Sequence, residues 1–497
     1  MASRKLSTIF TITLCALLLH ACGGSHGAYN PPDDDDQTSP TTVVNLAGNA
    51  GDGAVSLGWD EPASGSTPFS YNIAISPSAT NATISSDGTR AIIRGLVNNT
   101  SYTFSVTVKN SVGESAAATL LLRPTAVEIN IANLSAIDRD TNDSNSPSGI
   151  FDPSLLNVNG RIWMAYSSVN YYQQAGHRVQ DVSTSLAYSD NSGSTFTYLR
   201  TIGTATNATV TPGSGVNPCG NITCTGRWVY EVPFLIDDKT DPDTSKRFKL
   251  FAHKYFLYPL ATTPEQSPIY ALGAIVMWTA PSPESNWSSE RVVLGWNGTP
   301  QELATTNKIN TLNAALNECL TLSEGAATTY QGNLDFVFAC SYPNASNTGN
   351  TQKIVMLRSS DHASTFEYVS TPLTATDAAS VNALYFSAPA LIPTETSAPV
   401  LIATPVINRS VSIGGNPFSG DFYSGCIAFP FADEKSGKLF RSGSAPLSIW
   451  KIGYQANHLN GACAWDRGAS SSGILINDGD AISGTSLFRI LKTAKSF

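Results

Sequence analysis

Charge is scarce in this sequence. Only 13% of its 497 residues are Asp, Glu, Lys or Arg, and 38 acidic residues against 29 basic ones give a net charge of −9. A chain of this sign repels a phosphate backbone, so the composition argues against nucleic acid as a partner. The apolar run near the N-terminus is shorter than the roughly 20 residues that a membrane-spanning helix needs. A transmembrane anchor is therefore not expected.

The first 21 residues have the features of a secretion signal. Arg4 and Lys5 precede the apolar run TIFTITLCALLL, and LHACGG then places a small residue directly before Cys22. This segment resembles a bacterial lipoprotein signal, in which the final cysteine becomes the acylated N-terminus. The resemblance implies a signal peptide at residues 1–21, lipidation of Cys22 and a location in the cell envelope at the outer membrane. An ordinary signal peptide cut nearby is the alternative.

Six cysteines follow Cys22, and they occur as sequence neighbours. An even number of cysteines in an exported protein favours disulfides, although other connectivities are open. Their spacing does not fit a zinc site, and we expect neither a metal nor a cofactor. The expected disulfides are Cys219 with Cys224, Cys319 with Cys340, and Cys426 with Cys463.

The chain then divides into a tether and two β-rich regions. Residues 22–41 contain four consecutive aspartates and no apolar periodicity, which predicts a disordered tether. Residues 42–125 have short alternating strands between Gly, Asn, Ser and Pro turns, which is typical of a small β-sandwich. This region resembles a fibronectin type III domain. The resemblance implies a core of Trp59 and Tyr71, and a tyrosine corner formed by Leu96 and Tyr102.

Residues 126–497 show almost no helical periodicity and many apolar stretches of strand length. FDPSLLNVNGRIWMAYSS is followed by similar two-strand units that begin near YEVPFLID, SEGAATTY and FSAPALIP, and more weakly near NGACAW. Repeats of this kind predict a β-propeller, and we expect five blades. SDNSGSTF at 189–196 and SSDHASTF at 359–366 resemble the Asp-box hairpin of sialidase-like propellers, which has a structural role. The expected fold class is therefore all-β.

Acidic residues begin several of these units. Asp152 precedes Pro153, Glu231 lies two residues before Pro233, and Glu324 occurs at the matching point of EGA. The first strand of a propeller blade lines the central channel, so three acids at equivalent entrances would face a common ligand. Turn and strand-entry roles for the same acids are the alternative interpretation.

The blade entrances resemble those of the five-bladed arabinanase and furanosidase propellers. The resemblance implies that Asp152 is a general base, Glu324 a general acid, and Glu231 a modulator of the acid, which is the set of groups that glycoside cleavage needs. Glu231 and Ala326 depart from that family's pattern, which has an aspartate and a proline there. Further candidates for substrate contacts are His253, Arg467 and Trp228, each with a structural role as the alternative.

Two functions follow as hypotheses. In the first, a surface lipoprotein uses its propeller to recognise a glycan and is a candidate to hydrolyse it at the channel carboxylates. In the second, a non-catalytic propeller and type III module bind a protein or polysaccharide at the cell envelope. A convergent cluster of acids with unlike pKa values would favour the first, and acids that are scattered and paired with Lys or Arg would favour the second.

Overall fold

The computed structural model describes residues 37–51, 53–97, 100–124, 127–128, 131–132, 148–174, 177–193, 195–213, 219–259, 266–343, 350–392, 399–413, 416–452, 458–465, 475–480 and 487–492. Residues 1–36, with Cys22, and Arg467 lie outside these ranges. Within them the chain is almost entirely β-structure, as the sequence predicts. The described helices are at most five residues long, and none of them could cross a membrane.

The N-terminal domain is a sandwich of two antiparallel sheets. Its strands are β1 Val44–Gly51, β2 Ala54–Asp60, β3 Ser70–Ser76, β4 Thr83–Asp87, β5 Arg90–Arg94, β6 Tyr102–Lys109 and β7 Ala118–Leu122. The strand orders are β1-β2-β5-β4 and β3-β6-β7.

Strict alternation in YTFSVTVK points every second side chain of β6 into the core. The rings of Trp59 and Tyr71 lie 5.4 Å apart, and the Tyr102 hydroxyl accepts a hydrogen bond from the N–H of Val97 at 3.1 Å. The expected core and tyrosine corner are both present.

In the part of the chain that the structure describes, five antiparallel units follow, and they belong to the β-propeller. The turns Asn159-Gly160 and Gln331-Gly332 both have two residues of positive φ, which suits a tight hairpin between a first and a second strand. We call the units blades 1 to 5 in chain order. Two short strands, β8 Val127–Glu128 and β9 Ile131–Ala132, precede them. Blade 1 consists of β10 Ser148–Val158, β11 Arg161–Gln174, β12 His177–Ser189 and β13 Phe196–Gly203. Blade 2 consists of β14 Thr206–Val210, β15 Cys224–Asp237, β16 Phe248–Pro259, β17 Gln266–Ala280 and β18 Arg291–Leu294, with a 3-10 helix at Thr244–Lys246.

The remaining blades repeat this order. Blade 3 follows the 3-10 helices Gln301–Leu303 and Ala314–Leu316 and helix α1 Ile309–Leu312, and consists of β19 Thr321–Tyr330, β20 Asn333–Pro343, β21 Asn350–Ser359 and β22 Glu367–Leu373. Blade 4 follows helix α2 Ala375–Ala379 and contains β23 Tyr385–Ile392, β24 Val400–Ile413, β25 Asn416–Tyr423, β26 Cys426–Asp433, β27 Lys438–Leu439, β28 Arg441–Ser442, β29 Ala445–Pro446 and β30 Trp450–Ile452. Blade 5 contains β31 His458–Ala464, β32 Leu475–Asp480 and β33 Leu487–Lys492.

Apolar clusters join each blade to the next. Phe251 of blade 2, for example, packs edge-on against Phe336 of blade 3 at 5.3 Å between ring centroids. Leu155 of blade 1 shares a buried cluster with Leu475 and Ile490 of blade 5, so the last blade packs against the first. Strand β33 also pairs in parallel with the start of β10. The blades are therefore held mainly by burial of apolar side chains at their shared faces.

All three expected disulfides are present: Cys219–Cys224, Cys319–Cys340 and Cys426–Cys463. The two Asp-box-like hairpins also have the expected internal bonds. Ser189 Oγ accepts from the N–H of Gly193 at 2.9 Å, and Ser359 Oγ accepts from the N–H of Ala363 at 2.9 Å. These side chain to backbone bonds give the segments a structural role.

Candidate active site

All five inner strands carry a β-bulge at the same point. In each, two inner-strand residues lie opposite one residue of the second strand. The first of the two residues has a positive φ although it is not glycine, which is uncommon and requires support from its surroundings. The five residues are Asp152 at 51°, Val232 at 51°, Glu324 at 49°, Ala388 at 40° and Ala462 at 48°.

The bulge corrects one part of the sequence alignment. Asp152 and Glu324 occupy equivalent positions, as expected, but Glu231 does not. The residue equivalent to Asp152 in blade 2 is Val232, and Glu231 corresponds to Phe151. In blades 1 and 2, a proline follows the bulged residue. Asp152 lies one residue before its proline and Glu231 lies two residues before its own, so an alignment of these two acids is wrong by one residue. Glu231 still interacts with the other two acids through charge: Asp152 raises the pKa of Glu231, and Glu231 raises the pKa of Glu324.

A cavity of about 390 Å³ lies between the inner strands of all five blades. Asp152 and Glu324 line it, whereas Glu231 is not among its lining residues. Gly325 fits beside Glu324 because an added Cβ would lie 2.4 Å from the ring of Phe338. The side of the cavity formed by blades 4 and 5 presents small or apolar groups at the bulges: Ala388, Pro389, Ala462 and Cys463. The two acids thus face a space that a ligand of sugar size could enter.

Asp152 is buried and held by residues from three blades. Asn477 Nδ2 donates to its Oδ1 at 2.9 Å, and its own N–H donates to Asn477 Oδ1 at 2.8 Å. Ser167 Oγ donates to Asp152 Oδ2 at 3.3 Å and accepts from the N–H of Val232 at 2.9 Å. The Val232 N–H also favours the ionised form of Asp152. The carboxylate therefore has several donors in fixed positions.

The other two acids have fewer donors. Tyr255 is the hydrogen-bonding side chain at Glu231, and Tyr423 is the one at Glu324. The second oxygen of Glu324, Oε2, is buried without a hydrogen-bond partner. Tyr423 lies over Gly461, where a Cβ would be 2.7 Å from its ring. A carboxyl oxygen that is buried and unsatisfied in this way is costly unless a ligand supplies a partner or the group is protonated.

The three acids share a site of low polarity. Burial raises the pKa of Asp152 to about 7, against the lowering effect of the hydrogen bonds from Asn477, Ser167 and Val232. Burial, and then the charge of Asp152, raise the pKa of Glu231 to about 8. Burial raises the pKa of Glu324 well above its ordinary value, and the charges of Asp152 and Glu231 raise it further. Among the ion pairs of the described residues, none involves these three acids.

His253 does not lie at the channel rim, contrary to expectation. It is 2% exposed, is not among the cavity-lining residues, and lies 5.1 Å from Tyr255 and 5.8 Å from Trp296 between ring centroids. Burial lowers the pKa of His253 to about 3, so the imidazole is neutral. Its position at the shared face of blade 2 explains the burial. This placement does not support a sugar contact.

Trp228 is also buried away from the cavity. Its ring packs edge-on against Phe256 at 5.1 Å and lies 5.1 Å from Lys254 Nζ. A different tryptophan, Trp465 on the loop after β31, lines the cavity. The sequence contains many aromatic residues in the inner strands and in the strands behind them, and composition alone does not separate the two sets. Arg467 lies outside the described residues.

Sequence reasoning missed the supporting residues Ser167, Tyr423 and Asn477. A sequence signal exists for Ser167 and Asn477. In every blade, one residue of the inner strand directly precedes the bulge. Its partner on the second strand lies at the same point of that strand in all five blades. Aligning AYS, FAH, VFA, IAT and LIN from β11, β16, β20, β24 and β32 brings these residues together. The five residues at this point are Ser167, His253, Ala339, Thr404 and Asn477.

A second group of polar residues connects blades 2 and 3. Asp238, Asp241 and His362 have the donor types of a metal site. They surround the buried Lys249, whose ammonium lies 2.9 Å from Asp238 Oδ2 and 2.7 Å from Asp241 Oδ2. His362 Nδ1 lies 2.8 Å from Asp238 Oδ2. The cation in this group is therefore the lysine, and the contact between His362 and Asp238 joins blade 3 to blade 2.

Comparison with known proteins identifies the first domain. The fibronectin type III domain model matches residues 39–120. No curated protein matches the chain. The chain is similar in structure to a family 117 glycoside hydrolase from the marine bacterium Zobellia galactanivorans, with 12% identity, 74% of this chain and 89% of that chain covered, and a TM-score of 0.40. It is also similar to the catalytic domain of a Coprinopsis cinerea GH62 alpha-L-arabinofuranosidase, with 10% identity, 74% and 98% covered, and a TM-score of 0.36.

Similarity at this level does not extend to function. The chain consists of a fibronectin type III domain followed by a β-propeller, and the strand pairing of the chain itself defines that architecture.

Proposed function

We propose that the propeller is a glycoside hydrolase that binds its glycan in the cavity between the five inner strands. The observation that carries the proposal is a charge-coupled group of buried acids from three blades, Asp152, Glu231 and Glu324: burial raises the pKa of each, and the charge of Asp152 raises the pKa of both glutamates further. Perturbed acids beside a cavity are typical of acid–base catalysis. A purely structural cluster would have its oxygens satisfied, but Glu324 Oε2 is not.

The surroundings support different roles for the acids. Asp152 receives the most hydrogen bonds, and its charge raises the pKa of both glutamates, so it is the first of the three to ionise. Glu324 is raised by burial and by both other acids, so it keeps its proton longest. Asp152 is therefore the general base and Glu324 the general acid, and Glu231 raises the pKa of the acid. Separated pKa values of this kind are the usual basis for such a division of roles.

The reaction is hydrolysis. Glu324 gives its proton to the glycosidic oxygen as the bond from that oxygen to the anomeric carbon breaks. A water molecule attacks the anomeric carbon and loses its proton to Asp152. The products are two shorter sugars, and solvent later returns a proton to Glu324 and removes one from Asp152. Both carboxyl groups are needed because the leaving oxygen and the attacking water require opposite proton transfers.

The chain is also proposed to be a lipoprotein. Support comes from the LHACGG segment, which resembles a lipoprotein processing site with Cys22 as the acylated residue. The residues between Cys22 and the fibronectin type III domain, which the family model matches from residue 39, would then be a tether to the outer membrane. A Cys22→Ala variant expressed from the full gene should lose its partition into detergent-extracted membranes. Full retention in the membrane fraction would contradict the anchor.

The hydrolase proposal is tested with a panel of plant, algal and bacterial polysaccharides. The wild-type protein should release reducing ends from at least one of them. Asp152→Asn and Glu324→Gln should abolish the release, because each is isosteric and removes only proton transfer, while thermal stability and retention on the polysaccharide persist. Glu367→Gln changes an exposed acid in β22 and should leave the rate unchanged.

The alternative is a propeller that binds a polysaccharide or an envelope protein without cleaving it. The assay is run at pH values from 5 to 9, in steps of about one pH unit. Retention on a polysaccharide without any release of reducing ends would favour that alternative. Equal rates in wild type and in the Asp152→Asn variant would place the chemistry elsewhere in the chain.

A further inference from the structure

A residue of the last blade holds Asp152. The side-chain amide of Asn477 accepts a hydrogen bond from the Asp152 N–H at 2.8 Å and donates one to Asp152 Oδ1 at 2.9 Å. Both residues are 6% exposed. One side chain thus fixes the positive-φ backbone and the carboxyl group of the same residue. Asn477 lies 325 positions away in sequence, so the site is complete only when blade 5 packs against blade 1.

In blade 4, the residue at the position of Asn477 is Thr404, and at the bulge it satisfies only a backbone N–H. There Thr404 Oγ1 accepts from the N–H of Ala462 at 2.9 Å, and Ala462 has no carboxyl group to position. A hydroxyl is therefore enough to satisfy the bulge N–H. An amide carries its acceptor and its donor on different atoms, and Asn477 uses the donor for the carboxylate. The Asn477 amide therefore does more than satisfy a backbone N–H, because it also donates a hydrogen bond to the Asp152 carboxylate.

Glu324 has one side-chain donor, Tyr423, and receives none from the position that corresponds to Asn477. Blade 2 carries His253 at the position of Asn477, and its Nε2 is buried without a hydrogen-bond partner, as is Glu324 Oε2. Hydrogen bonds to the charged form of a carboxyl group favour ionisation, and burial without them opposes it. The difference in donors therefore separates two acids that occupy equivalent bulges.

The surroundings of Asp152 contain few other groups that could set its charge. Among the described residues, the ionisable groups that interact with it are Glu231 on β15, Glu324 on β19 and Tyr423 on β25. Two of the strands packed against β10 contribute non-ionisable side chains to Asp152, Ser167 from β11 and Asn477 from β32. Strand β31 brings Ala462 and the disulfide-bonded Cys463 to the same cavity, and β33 pairs with β10 through Leu487 and Phe488.

We infer that Asn477 is a positioning residue that fixes the Asp152 carboxyl group in the cavity and keeps the negative charge of the three-acid site on it. The kinetic consequence rests on the proposed hydrolase function, whereas the effect on the charge of Asp152 does not. Ser167 supports the second oxygen from blade 1, at the longer distance of 3.3 Å. Without Asn477, the negative charge of the site should be distributed over Asp152, Glu231 and Glu324.

Two variants test the inference. Asn477→Asp is isosteric and keeps the acceptor for the Asp152 N–H, but replaces the donor with a second acid. Asn477→Ala removes both bonds and decides the question if Asn477→Asp does not fold. Thr404→Ala is the matched control, because it removes the equivalent backbone cap at a bulge without an acid. Thermal unfolding of each purified full-length variant establishes that it is folded.

The first measurement needs no substrate. Infrared difference spectroscopy across pH follows the protonated carboxyl band that is absent in Asp152→Asn. Its midpoint should rise by about one pH unit or more in both Asn477 variants, which is the effect of losing a donor to a buried carboxylate. It should stay in place in Thr404→Ala. An unchanged midpoint in a folded Asn477 variant, or the same rise in Thr404→Ala, would overturn the inference.

The second measurement is the pH dependence of kcat/KM on whichever polysaccharide the wild type cleaves. The acidic limb should move upward with the infrared midpoint, while a purely structural defect would lower the rate at all pH values without moving the limb. A shifted infrared midpoint with no cleavage of any polysaccharide would uphold the role of Asn477 and reject the hydrolase. Cleavage of a polysaccharide without a shift of the acidic limb would uphold the hydrolase and reject the role of Asn477.

Discussion

Cys426 of blade 4 and Cys463 of blade 5 form a disulfide directly beside the cavity, since Cys463 follows the bulged residue Ala462 and lines the cavity with it. The bond connects two blades, whereas Cys219–Cys224 closes a local loop within blade 2. A covalent link therefore fixes the bulge of blade 5, the blade that packs against blade 1 and its Asp152. Its removal affects both the packing of the last blade and the shape of the cavity.

We predict that replacing both Cys426 and Cys463 with alanine destabilises the protein more than the same change at Cys219 and Cys224. The bonds join residues 37 and 5 positions apart, and in the chain-entropy model the longer loop contributes about 4 kcal/mol and the shorter about 2 kcal/mol. Urea unfolding of both double variants measures the difference. Equal midpoints for the two would contradict the prediction.

A change at Tyr423 should affect the acid and not the base. The hydrogen bond from Tyr423 lowers the pKa of Glu324 against the larger effect of burial. Tyr423→Phe removes that bond, so the pKa of Glu324 should rise further and the alkaline limb of the pH profile should move upward by about one unit or less. The acidic limb, which reports Asp152, should stay in place. A profile in which both limbs move together would show that Tyr423 acts on the site as a whole.

The buried acids should also make stability depend on pH. Asp152 and Glu231 have folded pKa values of about 7 and about 8, above the values of roughly 4 expected in the unfolded chain. Between pH 4 and 8 the native state therefore binds more protons than the unfolded state, and stability falls as pH rises. The loss should be on the order of a few kcal/mol, and Asp152→Asn should reduce it. Urea midpoints at several pH values measure it, and a slope that is equal in wild type and variant would contradict the assignment.

Much of the architecture could be predicted because it depends on local sequence. Alternation defines strands such as β6, Asn-Gly defines the hairpin between β10 and β11, and the neighbouring cysteines pair as expected. These features need only nearest neighbours along the chain. The same is true of the Asp-box-like hairpins, where Ser359 and Ala363 are four residues apart.

The site was harder to predict because its geometry depends on bulges and on contacts between blades. A bulge shifts the register by one residue, so Glu231 is not the counterpart of Asp152, and yet the two still interact. Asn477 reaches Asp152 across 325 residues of sequence, which no local pattern records. Burial, and not residue type, decides that His253 is a core histidine.

A buried ion pair between blades 3 and 4 gives a further test of how the propeller is held together. Arg358 Nε lies 2.6 Å from Asp335 Oδ1, and its Nη2 lies 2.7 Å from Glu434 Oε1. All three side chains are at least nine-tenths buried. Burial, and then the neighbouring Asp335, raise the pKa of Glu434 to about 8, while Arg358 lowers it.

We predict that Arg358→Met destabilises the protein by about 3 to 5 kcal/mol, because it leaves two carboxyl groups buried without their cation. The loss should be smaller at about pH 6, where Glu434 is protonated with or without the arginine, than at about pH 10, where the wild type ionises Glu434 beside Arg358 and the variant has no cation for that charge. Arg441→Met is the matched control: Arg441 pairs with Asp377 at 2.6 Å, but its side chain is 31% exposed. Arg441→Met should lower the free energy of unfolding by less, and the decrease should vary less with pH, because water can take the place of the arginine beside Asp377. Urea unfolding at the two pH values decides the matter, and a loss for Arg358→Met that is equal at both values would mean that the pair acts through packing and not through charge.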